Sequence, residues 1–523
     1  MLWLKRIAFT VLALVLVASG GVYLYAQSAG ATVNIPLRGA LASQFPRLFA
    51  APKAESSVLA ARIHLPPGFG LTVYARDIPG ARLLRVTRAG DLLVAVPGDG
   101  KVLLLGRDRN GDGAADGVRV LLKGLDQPNG LDFFQQYLYV AEQGQVGRVP
   151  FDQDTGTLTG AYEVVIPKLP GGGNHYKKTI RFGPDGMLYL SIGSDCNVCI
   201  EKDARRAAMM RFAADGSGGE VFATGLRNSA GFDWRPGDNA LFATDNGRDL
   251  LGDDFPPCEL NQIVPGGFYG WPFVNGFGVP DPDQGTGHER QARAARAPVF
   301  GFAAHNAPLG ILFVRSTKLP AEYQHAALVA LHGSWNRSHK DGYKVVALHW
   351  RADGRIEAQD FVTGFLVGDD VIGRPAELAE GRDGAIYLSD DYAGAVYRIA
   401  YGEGEGVRTG GGASGVAAAG AATVGVESTT VALTASQRLA LIDKGAAIFT
   451  RGACLQCHTT ADGSSAAGAM PVEGANVVLQ TLAARYDIDR LMGYLARPKP
   501  PMPPIASELD RRALAEYLLS RFK

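Results

Sequence analysis

A short pattern that recurs six times constrains the fold of this chain more than any other feature. Each copy has a turn, an apolar run typical of a strand, and a Gly or Asp corner, and a second strand-like run follows it. The copies are AGDLLVAVPGD at Ala89, FQQYLYVAEQG at Phe134, GPDGMLYLSIGSD at Gly183, GDNALFATDNG at Gly237, YQHAALVALHGS at Tyr323 and GRDGAIYLSDD at Gly381. Successive copies lie mostly about 50 residues apart, close to the repeat length of four-stranded propeller blades. The pattern therefore predicts a mainly β protein with a six-bladed β-propeller at residues 62–401.

An open β-sandwich also contains such hairpins, but six copies in regular order favour a closed ring. The spacing breaks only between Leu241 and Leu328, where the chain is rich in Gly and Pro and contains Asp, Phe and Trp clusters. Long loops inside compact domains are usually functional, so we expect this stretch to contribute to a site.

The N-terminal segment, residues 1–27, is predicted to be a signal anchor or transmembrane helix. Lys5 and Arg6 precede about 20 uncharged residues, Ile7 to Ala26, which is the length needed to span a bilayer. The positive residues would stay inside and direct the rest of the chain outward. The run is longer than the apolar part of a cleaved signal, although the Gly20-Gly21 break leaves cleavage open. We therefore expect a protein anchored on the periplasmic side of the bacterial inner membrane.

Three further segments lie outside the predicted propeller. Residues 28–61 form an N-terminal extension, and residues 402–433 are dominated by small residues, as in a flexible linker. From Ser436 the apolar residues follow a helical period, so residues 434–523 are predicted to form a small all-α domain.

The charge balance excludes one class of partner. The 523 residues include 52 Lys plus Arg and 52 Asp plus Glu, so no net basic field is available to hold nucleic acid. Small molecules and redox proteins are the expected partners.

The stretch RGACLQCHTT carries the most specific motif of the last domain. In a C-x-x-C-H sequence the two thiols, here Cys454 and Cys457, attach one haem c covalently, and His458 is the proximal ligand of the iron. A redox dithiol or half of a zinc site is the alternative interpretation. The motif predicts single-electron transfer, and attachment of haem c also fits export of the chain.

Met502 is the predicted distal ligand of the haem iron, because prolines on both sides of it stiffen the loop PKPPMPP. Met470 and Met492 are the competing candidates, and Met492 lies in a helical pattern that suggests core packing. With the C-x-x-C-H motif and this loop, residues 434–523 resemble the cytochrome c family.

Three loop segments of the propeller offer catalytic side chains. GGGNHYKK contains His175, a candidate base; ATGLRNSAGF contains Arg227 and Asn228; and TDNGRDLLGDD is an acidic loop of the kind that hard cations favour. Each segment taken alone also has an ordinary explanation as a solvated loop.

Several longer stretches resemble the glucose/sorbosone dehydrogenase family. They include LPPGFGLTVYARDIPGAR, NHYKKTIRFGPDGMLYLSIGSDCNVC, GGFYGWPFVNG and LHGSWNRSHKDGYKVVAL, and the resemblance covers nearly the whole propeller, from about Leu65 to Tyr401. It implies a six-bladed propeller that uses pyrroloquinoline quinone (PQQ) and calcium.

The resemblance also implies roles for single residues. His175 would be the general base, oriented by Asp195; Arg227 would polarise the quinone oxygen; and Asn228 would contact the cofactor. Arg374, in the stretch GRPAE, would clamp carboxylates of PQQ.

The same resemblance assigns the calcium to the main-chain carbonyls of Gly247 and Arg248. The chain departs from the family pattern at two places: Ala376 stands where glucose-oxidising members have a second arginine, and Asn336-Arg337 replaces a cofactor lysine. Arg337 is therefore the candidate for the cofactor contact that this lysine makes in the family.

Two other motifs favour structural interpretations. The segment from Asp108 to Asp116 resembles a calcium loop but has Arg119 where a bidentate Glu belongs, so a plain hairpin turn is favoured. Cys196-x-x-Cys199 is followed by Ile200, which excludes haem attachment and favours a disulfide over a metal half-site. Cys258 has no obvious partner.

Together these features predict a PQQ-dependent sugar or aldehyde dehydrogenase. It would oxidise an aldose, a sorbosone-like aldehyde or a polyol and pass electrons to its own haem c, then to a downstream cytochrome or the quinone pool. The alternatives are a non-catalytic carbohydrate- or protein-binding propeller with a cytochrome relay, and a calcium-dependent lactone hydrolase, which would need no haem.

Overall fold

The computed structural model describes residues 55–408 without a gap. Further along the chain it describes residues 416–417, 422–423, 441–446, 448–449, 458–460, 477–479, 488–496 and 508–521. The chain divides into two compact units after Gly425.

Six sheets, each with a core of four strands, form the propeller of the first unit, and the first three follow one another along the chain. Blade 1 contains β2 (Leu84–Val86), β3 (Leu92–Val96), β4 (Lys101–Leu105) and β5 (Val118–Lys123), after the closing strand β1 (Phe69–Ala75). Blade 2 contains β6 (Gly130–Phe134), β7 (Tyr137–Ala141), β8 (Val146–Asp152) and β9 (Glu163–Ile166). Blade 3 contains β10 (Lys178–Phe182), β11 (Leu188–Ile192), β12 (Ala208–Phe212) and β13 (Glu220–Thr224).

The remaining three blades repeat this order. Blade 4 contains β14 (Phe232–Trp234), β15 (Leu241–Asp245), β16 (Cys258–Ile263) and β17 (Phe300–Phe302). Blade 5 contains β18 (Pro308–Phe313), β19 (Ala327–Leu331), β20 (Lys344–Trp350) and β21 (Ile356–Val362). Blade 6 contains β22 (Pro375–Glu380), β23 (Ile386–Asp390) and β24 (Ala395–Tyr401).

The ring is closed by pairing between the two ends of the propeller sequence. Strand β1 is the fourth strand of blade 6 and pairs antiparallel with β24, with Phe69 opposite Tyr401. Closure of this kind protects blade edges that would otherwise expose unpaired backbone groups.

Apolar residues on both faces of each blade hold the ring together. Leu92 and Val94 of β3 pack in the buried cluster shared with blade 6, whereas Leu93 and Ala95 pack in the cluster shared with blade 2. Because successive side chains of a strand point to opposite faces, one strand supplies two interfaces. Six such clusters fill the six interfaces between consecutive blades.

All six sequence copies form the second strand of a blade and pair with the strand-like run that follows them, so the predicted propeller is confirmed. The break in spacing corresponds to residues 264–299, inserted between β16 and β17. This insertion contains the helix Glu289–Ala294 and short strands at Gly267–Phe268, Val274–Asn275 and Val279–Pro280.

The predicted linker, residues 402–433, contains strands where a flexible coil was expected. Gly406–Arg408 pairs parallel with β1, and Val416–Ala417 and Ala422–Thr423 pair parallel with β5. The outermost strand of a blade has free backbone groups, and a segment of small residues can pair with them without side-chain bulk.

The second unit is helical where its core is described. The helices Ile488–Ala496 and Glu508–Arg521 and residues 441–446 surround a buried cluster that includes Leu491, Leu495, Leu514 and Leu518. Met492 packs against this cluster, as its helical pattern predicts.

The predicted haem residues lie largely outside the described residues. Cys454, Cys457, Met470 and Met502 are not described, and of His458 only the backbone is, as the first residue of a short strand (His458–Thr460). The predicted anchor, residues 1–27, also lies outside. None of the helices that the structure describes is both long and apolar enough to cross a bilayer.

Candidate active site

A cavity of about 360 Å³ lies where the innermost strands of the blades begin. All six blades contribute to it: Arg82 and Leu83; Asn129; Asn174, His175, Tyr176, Lys177 and Thr179; Asn228 and Ala230; Leu309 and Gly310; Ala376 and Glu377. Because each innermost strand starts at the same end of the ring, residues that are far apart in sequence converge there. The size is in the range typical of small-ligand pockets, about 300 to 1,000 Å³.

His175 lies in this cavity and is held in one tautomer. Its Nδ1 is 3.1 Å from the carbonyl oxygen of Ser194 and 2.8 Å from Ser194 Oγ. A carbonyl only accepts, so Nδ1 carries the proton and Nε2 keeps a free lone pair. Among the described residues, Nε2 has no hydrogen-bond partner. His175 therefore presents a basic nitrogen to the cavity.

The ring of His175 is kept neutral. Burial, and to a smaller extent the charge of Arg227, lower its pKa to about 3. Burial disfavours the charged form of an imidazole, and a nearby cation has the same effect.

Ser194, and not Asp195, orients His175. The Asp195 side chain is 57% exposed and lies 3.8 Å from the guanidinium of Arg206. The Ser194 hydroxyl is buried, because it accepts from His175 and donates to the carbonyl of Cys196 at 2.7 Å. A hydroxyl with both of its hydrogen bonds made can be buried at little cost in free energy, whereas an ionised carboxylate cannot. The structure therefore does not bring the Asp195 carboxylate to His175.

Arg227 has no hydrogen left for a ligand. Its Nε donates to Asn197 O at 2.9 Å; Nη1 donates to Asn246 O at 3.2 Å and Gly247 O at 2.9 Å; Nη2 donates to Asn197 Oδ1 and Asp249 Oδ2, each at 2.8 Å. A guanidinium has five N–H groups, and all five are used here. The prediction that Arg227 polarises a bound quinone does not fit this arrangement, in which it fixes loops and lowers the pKa of His175.

One of the two main-chain carbonyls predicted to hold calcium already accepts a hydrogen bond. The carbonyl of Gly247 accepts from Arg227, so a guanidinium charge already lies against it. The Arg248 side chain is buried, and its charge is balanced by ion pairs with Asp281 and Asp283. Asn246 Oδ1, in the same loop, is buried without a partner among the described residues.

Asn228 fits its predicted cofactor contact. Its side chain lines the cavity and makes no hydrogen bond to another described residue, while its backbone N–H donates to Asp245 Oδ1 at 2.6 Å. A Cβ at Gly193 would lie 2.4 Å from His175 Cβ and 3.1 Å from Asn228 Oδ1. Glycine is therefore required there for the two side chains to share the cavity.

Asp245, at the end of β15, supports this loop and was not found from the sequence. Its two carboxylate oxygens accept the backbone N–H groups of Arg227 and Asn228 at 2.9 and 2.6 Å. Burial raises its pKa to about 7.

Arg374 lies beside the cavity, and part of its guanidinium is available to a ligand. Its Nε donates to His332 O at 3.1 Å and its Nη2 to Gly333 O at 3.0 Å, and Nη1 has no partner among the described residues. Ala376 lines the cavity two residues later. The predicted single-arginine clamp is compatible with this geometry.

Arg337 does not reach the cavity. Its guanidinium donates to the backbone carbonyls of Asp253 and Ala304 and to the carboxylate of Asp254. These contacts keep Arg337 at the neighbouring loop, so the structure does not bring it together with the residues that line the cavity. Asn336 is instead buried, and both of its side-chain polar atoms lack partners within the described part of the chain.

Cys196 and Cys199 form the favoured disulfide. Between them, Asn197 accepts two hydrogen bonds from Arg227 and one from the backbone of Asp249. The disulfide loop thus contacts both Ser194, which bonds His175, and Arg227. Cys258 is free and buried.

The segment from Asp108 to Asp116 connects the antiparallel strands β4 and β5, as the hairpin interpretation predicts. Both carboxylate oxygens of Asp108 accept backbone N–H groups of the loop, from Gly111 and Gly113, each at 2.7 Å.

Arg82 and Lys177 line the cavity and were missed. Each precedes the innermost strand of its blade, as do Asn129 and Arg374. In the sequence, these residues could have been identified by their position just before the first strand of each repeat.

Comparisons with known proteins agree with this fold. A protein of Borreliella burgdorferi, described as uncharacterized, is 30% identical over 299 residues, which are 54% of this chain and 78% of that protein. A pyrroloquinoline quinone-dependent pyranose dehydrogenase of Coprinopsis cinerea is 25% identical over 404 residues, 64% of this chain, and the chain spans 54% of that enzyme.

A solved structure, the holo form of the PQQ domain of the Coprinopsis cinerea pyranose dehydrogenase, matches with a TM-score of 0.55 at 21% identity. The match covers 65% of this chain and 97% of that domain, and at this identity it concerns the fold. The model of the glucose/sorbosone dehydrogenase family matches residues 134–398, about half of the chain. This protein therefore belongs to the glucose/sorbosone dehydrogenase family.

Proposed function

We propose that this protein is a quinohaemoprotein dehydrogenase that oxidises an aldose, a sorbosone-like aldehyde hydrate or a polyol in the propeller cavity, with PQQ as cofactor. The observation that carries the proposal is a neutral histidine, His175, whose free Nε2 faces a cavity with cationic walls. A base beside an electron-deficient acceptor is what removal of hydrogen from a hydroxyl carbon requires.

The residues present fit an anionic, flat cofactor. The cavity has a volume of about 360 Å³, and Asn228 offers an amide without a partner among the described residues. Arg374 has a free Nη1, and a planar guanidinium suits a carboxylate. Asn228 and Arg374 would hold the cofactor, which when bound supplies a two-electron hydride acceptor.

His175 would take the proton of the substrate hydroxyl at Nε2 while Ser194 holds Nδ1–H. The imidazole by itself is a weak base, because burial and the charge of Arg227 lower its pKa to about 3. An anionic ligand opposes the charge of Arg227 and raises the pKa of His175 toward the range of an effective general base. Base strength and cofactor occupancy are thereby coupled.

The C-x-x-C-H motif supports a haem c as the next electron carrier on the same chain. Cys454 and Cys457 would attach the haem, and His458 and Met502 would ligate its iron. We place the protein on the periplasmic side of the inner membrane, anchored by residues 1–27, and a second cytochrome or the quinone pool would accept the electrons.

The test uses the full chain, exported with its haem and freed of PQQ. PQQ and a panel of pyranoses, polyols and aldehydes are added, and the haem spectrum is followed anaerobically. We expect reduction of the haem only with both PQQ and a substrate, and loss of it in His175→Gln. Absence of reduction with every substrate, although PQQ binds, would leave a binding propeller with a cytochrome relay and overturn the proposal.

A second variant separates the two redox centres. Cys454→Ala with Cys457→Ala should lose the haem yet still reduce an artificial dye with substrate and PQQ. Loss of dye reduction in a folded, PQQ-binding variant would contradict a propeller that performs the oxidation by itself.

A further inference from the structure

The cavity carries more positive charge than its own carboxylates neutralise. Arg82 and Lys177 line it, and Arg374 lies close enough to lower the pKa of Lys177. Asp391 is paired with Arg82, at 2.8 Å between Oδ2 and Nη1, and its other oxygen accepts from His332 at 2.8 Å. Both oxygens of the nearest acid are thus occupied.

Lys177 is the cation of this group without a partner. Its Nζ makes no hydrogen bond or ion pair with any residue that the structure describes, although the side chain is half-buried. The next residue shows the contrast: Lys178 Nζ donates to the carbonyls of Pro170 and Tyr176, at 2.7 and 2.8 Å. Lys178 is tied into the blade, whereas Lys177 is free to meet a ligand.

The apoprotein holds Lys177 in an unfavourable state. The charge of Arg82 and then burial lower its pKa to about 7, and Asp391 only partly opposes this shift. A half-buried ammonium beside two guanidinium groups is destabilising unless an anion enters. Glu377, which also lines the cavity, pairs with Arg181, at 3.6 Å between Oε1 and Nη2.

We propose that Lys177, with Arg82 beside it, binds a carboxylate of the quinone cofactor. This inference rests on the proposed function and adds to it a second cationic contact, supplied by blades 1 and 3, in addition to Arg374 of blade 6. It gives the cofactor the lysine contact for which Arg337 is unsuitable, because Arg337 is held by Asp253 and Asp254.

The test measures PQQ binding to the apoprotein by quenching of tryptophan fluorescence, without any substrate. Lys177→Met should weaken PQQ binding about 10- to 100-fold, as expected for loss of a hydrogen bond between charged groups, and Lys177→Arg should restore most of it. Lys123→Met is the matched control: Lys123 is exposed on β5, outside the cavity, and its removal should change the affinity less than twofold.

Two further measurements separate charge pairing from loss of shape. The trimethyl ester of PQQ has no carboxylate charge, so it should bind wild type and Lys177→Met equally. The apoprotein of Lys177→Met should also unfold at the same or a higher temperature than wild type, because an unpaired, repelled charge is removed.

The outcomes distinguish the two proposals. If wild type itself does not bind PQQ, the proposed function fails. If wild type binds PQQ and Lys177→Met binds it equally well, the cofactor assignment stands and the role of Lys177 is overturned. The same conclusion follows if the variant loses as much affinity for the trimethyl ester as for PQQ itself.

Discussion

Ser194 Oγ lies 2.8 Å from Nδ1 of His175, and the hydroxyl hydrogen is committed to the carbonyl of Cys196. The serine can therefore only accept from the imidazole, and together with its own carbonyl it fixes the Nδ1–H tautomer. One residue thus determines which nitrogen of the candidate base faces the cavity.

Removing this contact should slow the reaction without preventing cofactor binding. Ser194→Ala loses one hydrogen bond to the ring, worth about 0.5 to 1.5 kcal/mol, so kcat should fall about 3- to 10-fold while PQQ affinity stays within threefold. Steady-state kinetics with saturating PQQ measure this. Asp195→Asn is the control and should change kcat less than twofold, because its carboxylate is exposed and does not contact His175.

The neutral state of His175 predicts how stability depends on pH. Its pKa in the folded apoprotein is about 3, below the unfolded value of 6.5, so folding opposes protonation. Protonation of His175 therefore leaves the free energy of unfolding unaffected above pH 6.5. As the pH falls from 6.5 toward 3, it lowers this free energy by up to about 1.4 kcal/mol per pH unit.

Urea unfolding at pH 7 and pH 4 of wild type and His175→Gln should therefore show a smaller acid destabilisation in the variant. Comparing the two proteins cancels the contribution of His332, whose pKa burial also lowers to about 3. An equal loss in both proteins would mean that His175 is not held neutral.

Arg227 is predicted to be structural as much as electrostatic. Arg227→Met leaves Asp249 without its partner and several carbonyls without donors, and breaking a buried ion pair costs about 3 to 5 kcal/mol. Chemical unfolding measures the loss. Arg227→Met combined with Asp249→Asn should recover part of it; no recovery would indicate that the pairing contributes little.

The disulfide should matter to both stability and catalysis. Its loop contains four residues, so Cys196→Ser with Cys199→Ser should destabilise the protein by about 2 kcal/mol by loop entropy. Because Cys196 O anchors Ser194, kcat should fall as well, by roughly the factor expected for Ser194→Ala. Unchanged kcat in the double variant would show that the loop keeps its geometry without the bond.

Glycine at position 193 is predicted to be essential to the cavity. Gly193→Ala places a methyl group 2.4 Å from His175 Cβ, which only a shift of the ring can relieve. We expect loss of kcat of about 100-fold, since misplacement by an ångström can have that effect. Gly90→Ala is not a fair control because its φ is positive, whereas Gly144→Ala has open space around it and should be neutral.

The architecture of the first unit could be predicted because it depends on local periodicity. Each of the six copies has an apolar run with a turn after it, and each forms a strand that is buried along almost its whole length and pairs with the next strand as a hairpin. The loop positions of His175 and Asn228 followed from the same segments, and both side chains line the cavity. The Cys196–Cys199 pair was likewise a matter of short spacing.

The sequence by itself determined the blades, their order and the loops that meet at one end of the ring, because these depend on residues close together in the chain. Only the tertiary structure decided which polar groups are free. Arg227 donates its hydrogen bonds to carbonyls about 20 to 30 residues away in the chain. Arg82, in the first blade, donates to Asp391, in the last blade. Whether a donor is available to a ligand depends on such distant partners, and ring closure, not local pattern, brings them together.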